Sequence, residues 1–515
     1  MTSATSKMSH REVVQALSGL MLGMFVSILA STIVSNALPR IIADLGGSQS
    51  VYTWIVTTEL LAMTATLPLW GKLADLYSKK LLIQLSLGLF VAGSLIAGLT
   101  PNVGILIVSR VVQGVGAGGM GALALIVMAA MIPPREMGRY SGLFGAIFGV
   151  ATIAGPLIGG VLVDTSWLGW RWCFLIGVPF SLAAILLLQR TLHLPRTPRK
   201  PVSIDWPGAL LITAGVCDLL IWSTLAGHHF AWGSWPTVLF VGGGLLLLGA
   251  AGYVESRAPE PIIPLSIFAN RTVSLTIVAS VLVGVAMFGG TVFLSQYFQI
   301  SLGKSPTVAG LMSLPLVFGV LVSSTVAGQL ITKYGRWKAY LVAGAVVMTG
   351  GMALLSTIDA HTGVPTLALY MALLGVGVGM LMQNLVLAAQ NDVPAQELGA
   401  TTSALTFFRT MGGAIGVSAL GAVLAGRVTA LLAERFGTTA TGGTAKVPDL
   451  ATLSPQALAV IRDVYGEATA GLFLIGTPIA ALAVLAVLGI RERPLHTLSG
   501  DERRVKEEAA AGRTA

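Results

Sequence analysis

Long apolar stretches constrain this chain more than any other feature. Fourteen of them follow one another along the 515 residues, and each is about as long as the 20 or so residues that a helix needs to cross a bilayer core ~30 Å thick. Only 10% of the residues are charged, against about 25% in soluble globular proteins. Because the runs are too long for the alternating strands of a transmembrane barrel, the sequence predicts an all-α polytopic membrane protein.

The charges in the connections predict the orientation of the chain. The spans are predicted at residues 14–36, 52–70, 81–99, 104–131, 142–163, 172–189, 207–226, 236–254, 272–298, 307–331, 340–357, 365–389, 400–426 and 468–490. With the N-terminus inside, the inner connections and both tails hold 22 of the 31 Lys and Arg residues. Positive residues favour cytoplasmic loops, so both termini are expected in the cytoplasm, with the charges near anionic membrane lipid. No nucleic-acid-binding motif is present.

Two connections repeat each other. Residues 71–80 and 328–338 share a glycine, a leucine, a tyrosine and a basic end in the same register, since Gly328 lies 257 residues after Gly71. We therefore predict two related halves with two inserted spans between them. The predicted units are a tail at 1–13, a first bundle at 14–190, a linker at 191–206, inserted spans at 207–254, a linker at 255–271, a second bundle at 272–490 and a tail at 491–515.

The longest external connection is predicted at 427–467. Ser454-Pro455 is typical of a helix start, and Leu458, Ile461 and Val464 follow at helical spacing. The pattern predicts a short amphipathic helix on the outer face.

Three segments of the first half resemble motifs of one family. Residues 71–80 resemble the loop signature of the major facilitator superfamily, 110–116 (Arg-Val-Val-Gln-Gly-Val-Gly) its fourth-span motif, and 149–160 its fifth-span antiporter motif. With fourteen spans, Trp170-Arg171-Trp172 and Ser305-Pro306, the chain resembles the fourteen-span drug:proton antiporter family. The resemblance implies two six-helix bundles plus two helices, alternating access, and protons as coupling ion without any cofactor.

The connection after span 2 is expected to form a conformational latch on the cytoplasmic side. Its candidate residues are Gly71, Asp75, Lys79, Lys80 and Arg135. Asp75 can meet either a helix N-terminus or a basic partner such as Arg135 or Arg139. Ser78 and Leu76 depart from the glycine and arginine that are usual in the family. The lysines also fit a purely topological role.

The antiporter motif comprises Gly149, Gly155, Pro156, Gly159 and Gly160. Small residues let helix backbones approach closely, and a Gly-Pro pair supplies a bend. The resemblance implies that this helix lies where the two halves meet, with ordinary tight packing as the alternative.

Four charged residues fall inside the predicted spans: Glu59, Arg110, Asp218 and Arg409. Charge in hydrocarbon is costly, so such residues are candidates for function. Glu59 is the leading proton site, because Ala30 stands where the resemblance predicts an aspartate, and a purely structural ion pair is the alternative. Arg110 and Arg409 are its alternative partners. Asp218 is expected to dock the two inserted spans rather than to couple protons.

Polar and aromatic side chains within spans are candidates for a substrate cavity near the midplane. They are Asn36, Gln113, Phe288, Phe293, Tyr297, Gln383 and Asn384. Buried polar groups need partners, and aromatic walls suit bulky ligands. Core packing is the alternative for each residue.

The sequence lacks the signatures of other classes. It contains no nucleotide-binding Gly-x-x-x-x-Gly-Lys-Ser/Thr loop, no zinc spacing and no catalytic triad pattern, so we expect a secondary transporter rather than an enzyme. Cys173 and Cys217 are expected to fill apolar space. The expected protein is a monomeric bacterial plasma-membrane exporter of lipophilic or cationic drugs or metabolites. A dedicated exporter of one antibiotic, siderophore or lipid, a nutrient importer and a receptor are the alternatives.

Overall fold

The structure is a computed structural model that describes residues 10–45, 49–165, 168–192, 205–226, 230–436 and 454–514, apart from a few side chains within them. These residues are helical almost throughout, and none of them forms part of an extended strand. The predicted linker at 191–206 and the middle of the external connection fall mostly outside the described residues.

The first half is a bundle of long helices. They are α1 His10–Leu45, α2 Gln49–Leu76, α3 Lys79–Gly98, α4 Val103–Met131, α5 Pro134–Asp164, and the pair α6 Trp172–Leu175 and α7 Gly177–Thr191. Asn102 caps α4, because its side chain accepts a hydrogen bond from the Ile105 amide at 3.0 Å. Pro134 opens α5 at a position where a missing N–H costs nothing.

The inserted segment is a hairpin of α8 Trp206–Leu225 and α9 Trp235–Glu255. Asp205 caps α8 by accepting from the Gly208 amide at 2.9 Å. A Cβ built on Gly215 would lie 3.2 Å from the Gly244 carbonyl, so glycines let the two helices approach closely. Beyond α9, α8 packs against α2 and a helix of the second half.

The second half repeats the bundle. Its helices are α10 Ser266–Ala269, α11 Arg271–Gln296, α12 Pro306–Met312, α13 Leu314–Tyr334, α14 Lys338–Leu355, α15 Val364–Asn391, α16 Leu398–Phe436 and α17 Pro455–Leu488, followed by α18 Gly500–Thr514. A π-helical turn at Tyr297–Ser301 continues α11. Among these helices of the second half, α16 is the one that packs against α8 of the inserted hairpin.

Twelve helical segments among the described residues are long and apolar enough to cross a membrane. The other long helices, α2 and α5, have 28 and 31 residues. The chain is therefore an integral membrane protein, and its crossing fourteen times stays a prediction. The first residue of α1 and the last residue of α17 lie on the same side of the helical bundle. We call it the terminal side, and α2 also ends there.

The predicted amphipathic helix on the outer face is not a separate element. The helix does begin at the predicted residue, since Ser454 caps it through the Ala457 amide at 3.3 Å. It then continues without a break to Leu488. The residues at 466–470, Gly-Glu-Ala-Thr-Ala, lower the hydrophobicity there, but Glu and Ala are good helix formers.

Candidate functional site

The two halves meet tightly where α2 crosses α16 on the terminal side. A Cβ built on Gly71 would overlap Ser403 and lie 2.6 Å from the Gly399 carbonyl. Asp75 accepts one hydrogen bond from the Gly399 amide and one from the Ala400 amide, both at 2.8 Å. These amides open α16, where a helix favours negative charge. Of the two partners considered for Asp75, the structure shows the helix N-terminus.

A second crossing, between α5 and α13, has the same design. A Cβ on Gly138 would overlap the carbonyl of Gly328, which is the repeat counterpart of Gly71. Further along α5, a Cβ on Gly142 would overlap Thr325, and one on Gly149 would overlap Val317. One face of α5 therefore lies directly on the other half.

Three lysines of the loop after α2 have different partners. Lys72 is buried and pairs with Glu260 at 2.6 Å, in the segment that follows the inserted hairpin. Lys79 pairs with Asp501 of α18 at 3.2 Å. Lys80 donates to the Gln189 carbonyl of α7 at 2.7 Å and so stays within the first half. Lys72 and Lys79 thus tie the first half to other parts of the chain, beyond fixing topology.

Arg135 does not pair with Asp75. Its guanidinium lies beside Gly335, about 4 Å from where a Cβ would stand. Gly335 has a left-handed backbone, with φ +70°, whereas Ser78 at the same repeat position is extended, with φ −62°. The first loop therefore turns without the glycine that is usual in the family.

Helix α18 spans the terminal side of both halves and was missed in the sequence because it is polar. Arg504 donates to the Asp75 carbonyl at 3.3 Å, and Arg503 donates to the Gln390 carbonyl at 3.2 Å. The available signal was a capping box, in which Ser499 and Glu502 bond to each other's amides at 3.3 and 2.8 Å.

Glu59 and Arg110 form a buried ion pair between α2 and α4. Arg110 also donates to the Ile55 carbonyl at 3.2 Å and to Gln113 at 2.6 Å, and Gln113 donates to Ser94 at 2.9 Å. Arg110 is 1% exposed and Glu59 5%. Ser31 of α1 also donates to Glu59, at 3.5 Å. The network therefore joins four helices of the first half and leaves the pair neutral.

Arg409 is not the partner of Glu59 in this structure. By helix rise, Glu59 stands about 25 Å above the terminal end of α2 and Arg409 about 16 Å above that of α16. Arg110 lies at the height of Glu59, so the difference in depth selects it. Arg409 instead donates to the Met382 carbonyl of α15 at 3.4 Å.

The later part of the antiporter motif faces the first half. A Cβ on Gly155 would overlap Thr32 of α1, and Gly159 is buried. Pro156 and Gly160 lie in α5, but what surrounds them falls outside the described residues, as does the side chain of Asn36.

The described residues predicted to line the cavity have different packing partners. Phe293 is 4% exposed and Tyr297 fully buried, and the Tyr297 hydroxyl donates to the Asp359 carbonyl at 2.6 Å. Both pack within the second half, since Phe293 lies beside Gly421 and Tyr297 contacts Asp359. Phe288 packs on Gly413, and Asn384 donates to the Met380 carbonyl at 2.7 Å.

Gln383 does line a space between the halves. A small cavity of about 10 Å³, room for one water, lies among α5, α13 and α15. Its walls are Phe144, Gly145, Val320, Ser324, Gly379, Met382 and Gln383. Both halves thus line one space near the middle of the membrane.

Asp218 faces the other inserted helix. One carboxylate oxygen lies 3.1 Å from where a Cβ on Gly244 would stand, which places it between α8 and α9. In the described part of the chain, Cys173 and Cys217 are unpaired thiols, and no cluster of His, Cys, Asp and Glu could hold a metal ion.

Comparisons with known proteins agree with this architecture. The family model described as Major Facilitator Superfamily matches residues 20–417. The chain is 35% identical over 467 residues to the multidrug transporter protein MdtP of Bacillus subtilis, covering 90% of this chain and 83% of that one. It is 36% identical over 490 residues to an uncharacterized MFS-type transporter of Mycobacterium tuberculosis, covering 94% and 70%.

Among solved structures, the proton:xylose symporter XylE superposes with a TM-score of 0.60 at 15% identity, covering 96% of this chain and 99% of that chain. At this identity the likeness shows the fold alone. Together, the paired glycine crossings, the matched halves and the family match establish that the chain belongs to the major facilitator superfamily, a family of membrane transporters.

Proposed function

We propose that this protein is a fourteen-span, proton-coupled antiporter that exports lipophilic small molecules across a bacterial plasma membrane. The terminal side, with both chain ends, is the cytoplasmic side in this proposal. Relatives named as a multidrug transporter and as multidrug resistance protein 3, both of Bacillus subtilis, support the direction of transport.

The Glu59–Arg110 pair is the observation that carries proton coupling. Protonating Glu59 removes the ionic attraction between α2 and α4. Arg110 then keeps two acceptors, Ile55 and Gln113, so its charge stays hydrogen-bonded while Glu59 is neutral. Breaking a buried ion pair costs less free energy when the remaining charge keeps other hydrogen-bond acceptors than when it is left without any.

The latch links this pair to alternating access. Glu59 and Asp75 lie on the same helix, and Asp75 closes the terminal side by docking on α16. In the proposal, protonation from the outer side loosens α2 from α4 and favours release of the docked end. The cavity then opens to the cytoplasm, and substrate binding followed by proton release reverses the cycle.

Transport in proteoliposomes tests the proposal. An imposed pH gradient should drive accumulation of a lipophilic fluorescent dye, and Glu59→Gln should abolish the gradient-driven part while dye binding persists. Asp218→Asn is the matched control, because it neutralises an intramembrane acid of the inserted hairpin and should keep gradient-driven transport. Unchanged transport in Glu59→Gln would refute the role of Glu59, and flux with the proton gradient would indicate an importer.

A further inference from the structure

Arg409 is a buried cation without an acidic partner. It is 8% exposed, and no carboxylate of the described residues lies within ion-pair distance of it. Within the described part of the chain, its one hydrogen bond is to the Met382 carbonyl, at 3.4 Å. A guanidinium carries five N–H donors, so most of its donors are uncommitted.

By helix rise, Arg409 stands near the middle of the membrane, next to a residue that lines the space between the halves. It stands about 16 Å along α16 from the terminal end, roughly half of a ~30 Å core. The residue whose carbonyl it contacts, Met382, lines the cavity together with Gln383. No hydrogen-bond partner is found for the Gln383 amide among the described residues, so a second polar group is free at the same place.

The other charges of the membrane interior do not balance Arg409. Glu59 is neutralised by Arg110 within the first half. Asp218 faces Gly244 inside the inserted hairpin. The central region of the two bundles therefore carries a net positive charge at Arg409, and a charge in such a site ordinarily has a counter-charge.

We propose that the substrate supplies this counter-charge: Arg409, assisted by Gln383, binds a carboxylate or similar acidic group on an otherwise lipophilic molecule. The inference rests on the proposed function and names its substrate class. It favours acidic lipophilic compounds over the cationic drugs that the resemblance suggested, because a lipophilic cation bound beside Arg409 would meet an uncompensated guanidinium. A carboxylate fits the planar fork of an arginine in two-point contact.

Three pyrene probes on the same skeleton test the charge preference: pyrenebutyric acid, its primary amide and pyrenebutylamine. Binding to the protein in nanodiscs is measured by energy transfer from tryptophan, of which the chain has 10. We expect the acid to bind about 10- to 150-fold more tightly than the amide, the range of a hydrogen bond to a charged group, with the amine weakest. Equal or tighter binding of the amine would overturn the proposal.

Two variants locate the preference. Arg409→Gln should remove the advantage of the acid over the amide, while Arg409→Lys, which keeps the charge, should retain part of it. An acid preference that persists unchanged in Arg409→Gln would also overturn the assignment. The comparison of probes on the unaltered protein needs no variant, so it holds even if Arg409→Gln does not fold.

Transport separates this inference from the proposed function. If a pH gradient drives the amine or amide and not the acid, export stands and the charge preference falls. If the gradient drives none of the probes while the acid binds through Arg409, the charge preference stands and proton-driven export falls.

Discussion

Replacing Gly399 with alanine adds one methyl group where the two halves touch on the terminal side. The new Cβ would overlap the Gly71 carbonyl and lie 2.5 Å from the Asp75 carboxylate. A backbone carbonyl cannot rotate away as a side chain can. Because Gly71 and Gly399 belong to different halves, the clash can be relieved by moving the halves apart, without unfolding either one.

The size of the effect follows from overpacking. Inserting a methyl group into a packed contact costs about 1–3 kcal/mol, which is a 5- to 150-fold shift in an equilibrium constant. We therefore expect Gly399→Ala to shift the population toward states open on the terminal side by that factor. Gly426→Ala is the matched control on the same helix, since nothing lies within 4 Å of its added Cβ.

Double electron–electron resonance measures the distribution of distances between two spin labels. That distribution gives the populations of the states that are closed and open on the terminal side. Tyr77 and Tyr334 are 40% and 59% exposed and stand at repeat positions of the two halves, so both can carry labels once Cys173 and Cys217 are replaced by alanine. Gly399→Ala should lengthen the distance between labels. A distribution unchanged from that of the parent, or one lengthened equally by Gly426→Ala, would refute the reasoning.

Two further predictions concern stability and the terminal helix. Arg110→Gln leaves the Glu59 carboxylate buried without its cationic partner and should destabilise the protein by about 3–5 kcal/mol. The loss is measured as a lower midpoint of thermal unfolding in detergent. The Glu59→Gln/Arg110→Gln double variant should recover part of the loss, and a double variant less stable than Arg110→Gln would contradict this. Lys79→Glu should repel Asp501 and speed amide hydrogen exchange in α18. Lys79→Glu/Asp501→Lys should restore the protection of the α18 amides, and Lys80→Glu should leave that protection unchanged. Equal protection in all three would show that the ion pair does not hold α18.

The helices could be predicted because their signals are local. A run of apolar residues, the Ser454-Pro455 start and the repeated glycines Gly71 and Gly328 each depend on a few neighbouring residues. The repeat also identified the loop that meets the other half. Each of these signals reports a backbone or burial requirement of its own segment.

The choice among candidate partners could not be predicted, because it depends on distances between segments. Glu59 had two candidate arginines, and the ion pair in the structure selects Arg110; the different heights of Glu59 and Arg409 along their helices agree with this choice. Asp75 binds the first amides of α16. A helix N-terminus is one of its two expected partners, but every helix has such amides, so the sequence does not identify α16. Helix α18 lacks an apolar run, so hydrophobic periodicity could not find it.

Helix α16 is one continuous helix that makes two of the contacts described above. Its first amides receive Asp75, and Arg409 lies 11 positions after its first residue, Leu398. Residues 400–409 between them contain neither glycine nor proline, so this stretch has no natural hinge. If a bound molecule displaced Arg409, as the substrate proposal implies, this stretch would transmit the motion to the end of α16 that Asp75 holds. One helix would then connect binding in the middle of the membrane to closure at the terminal side.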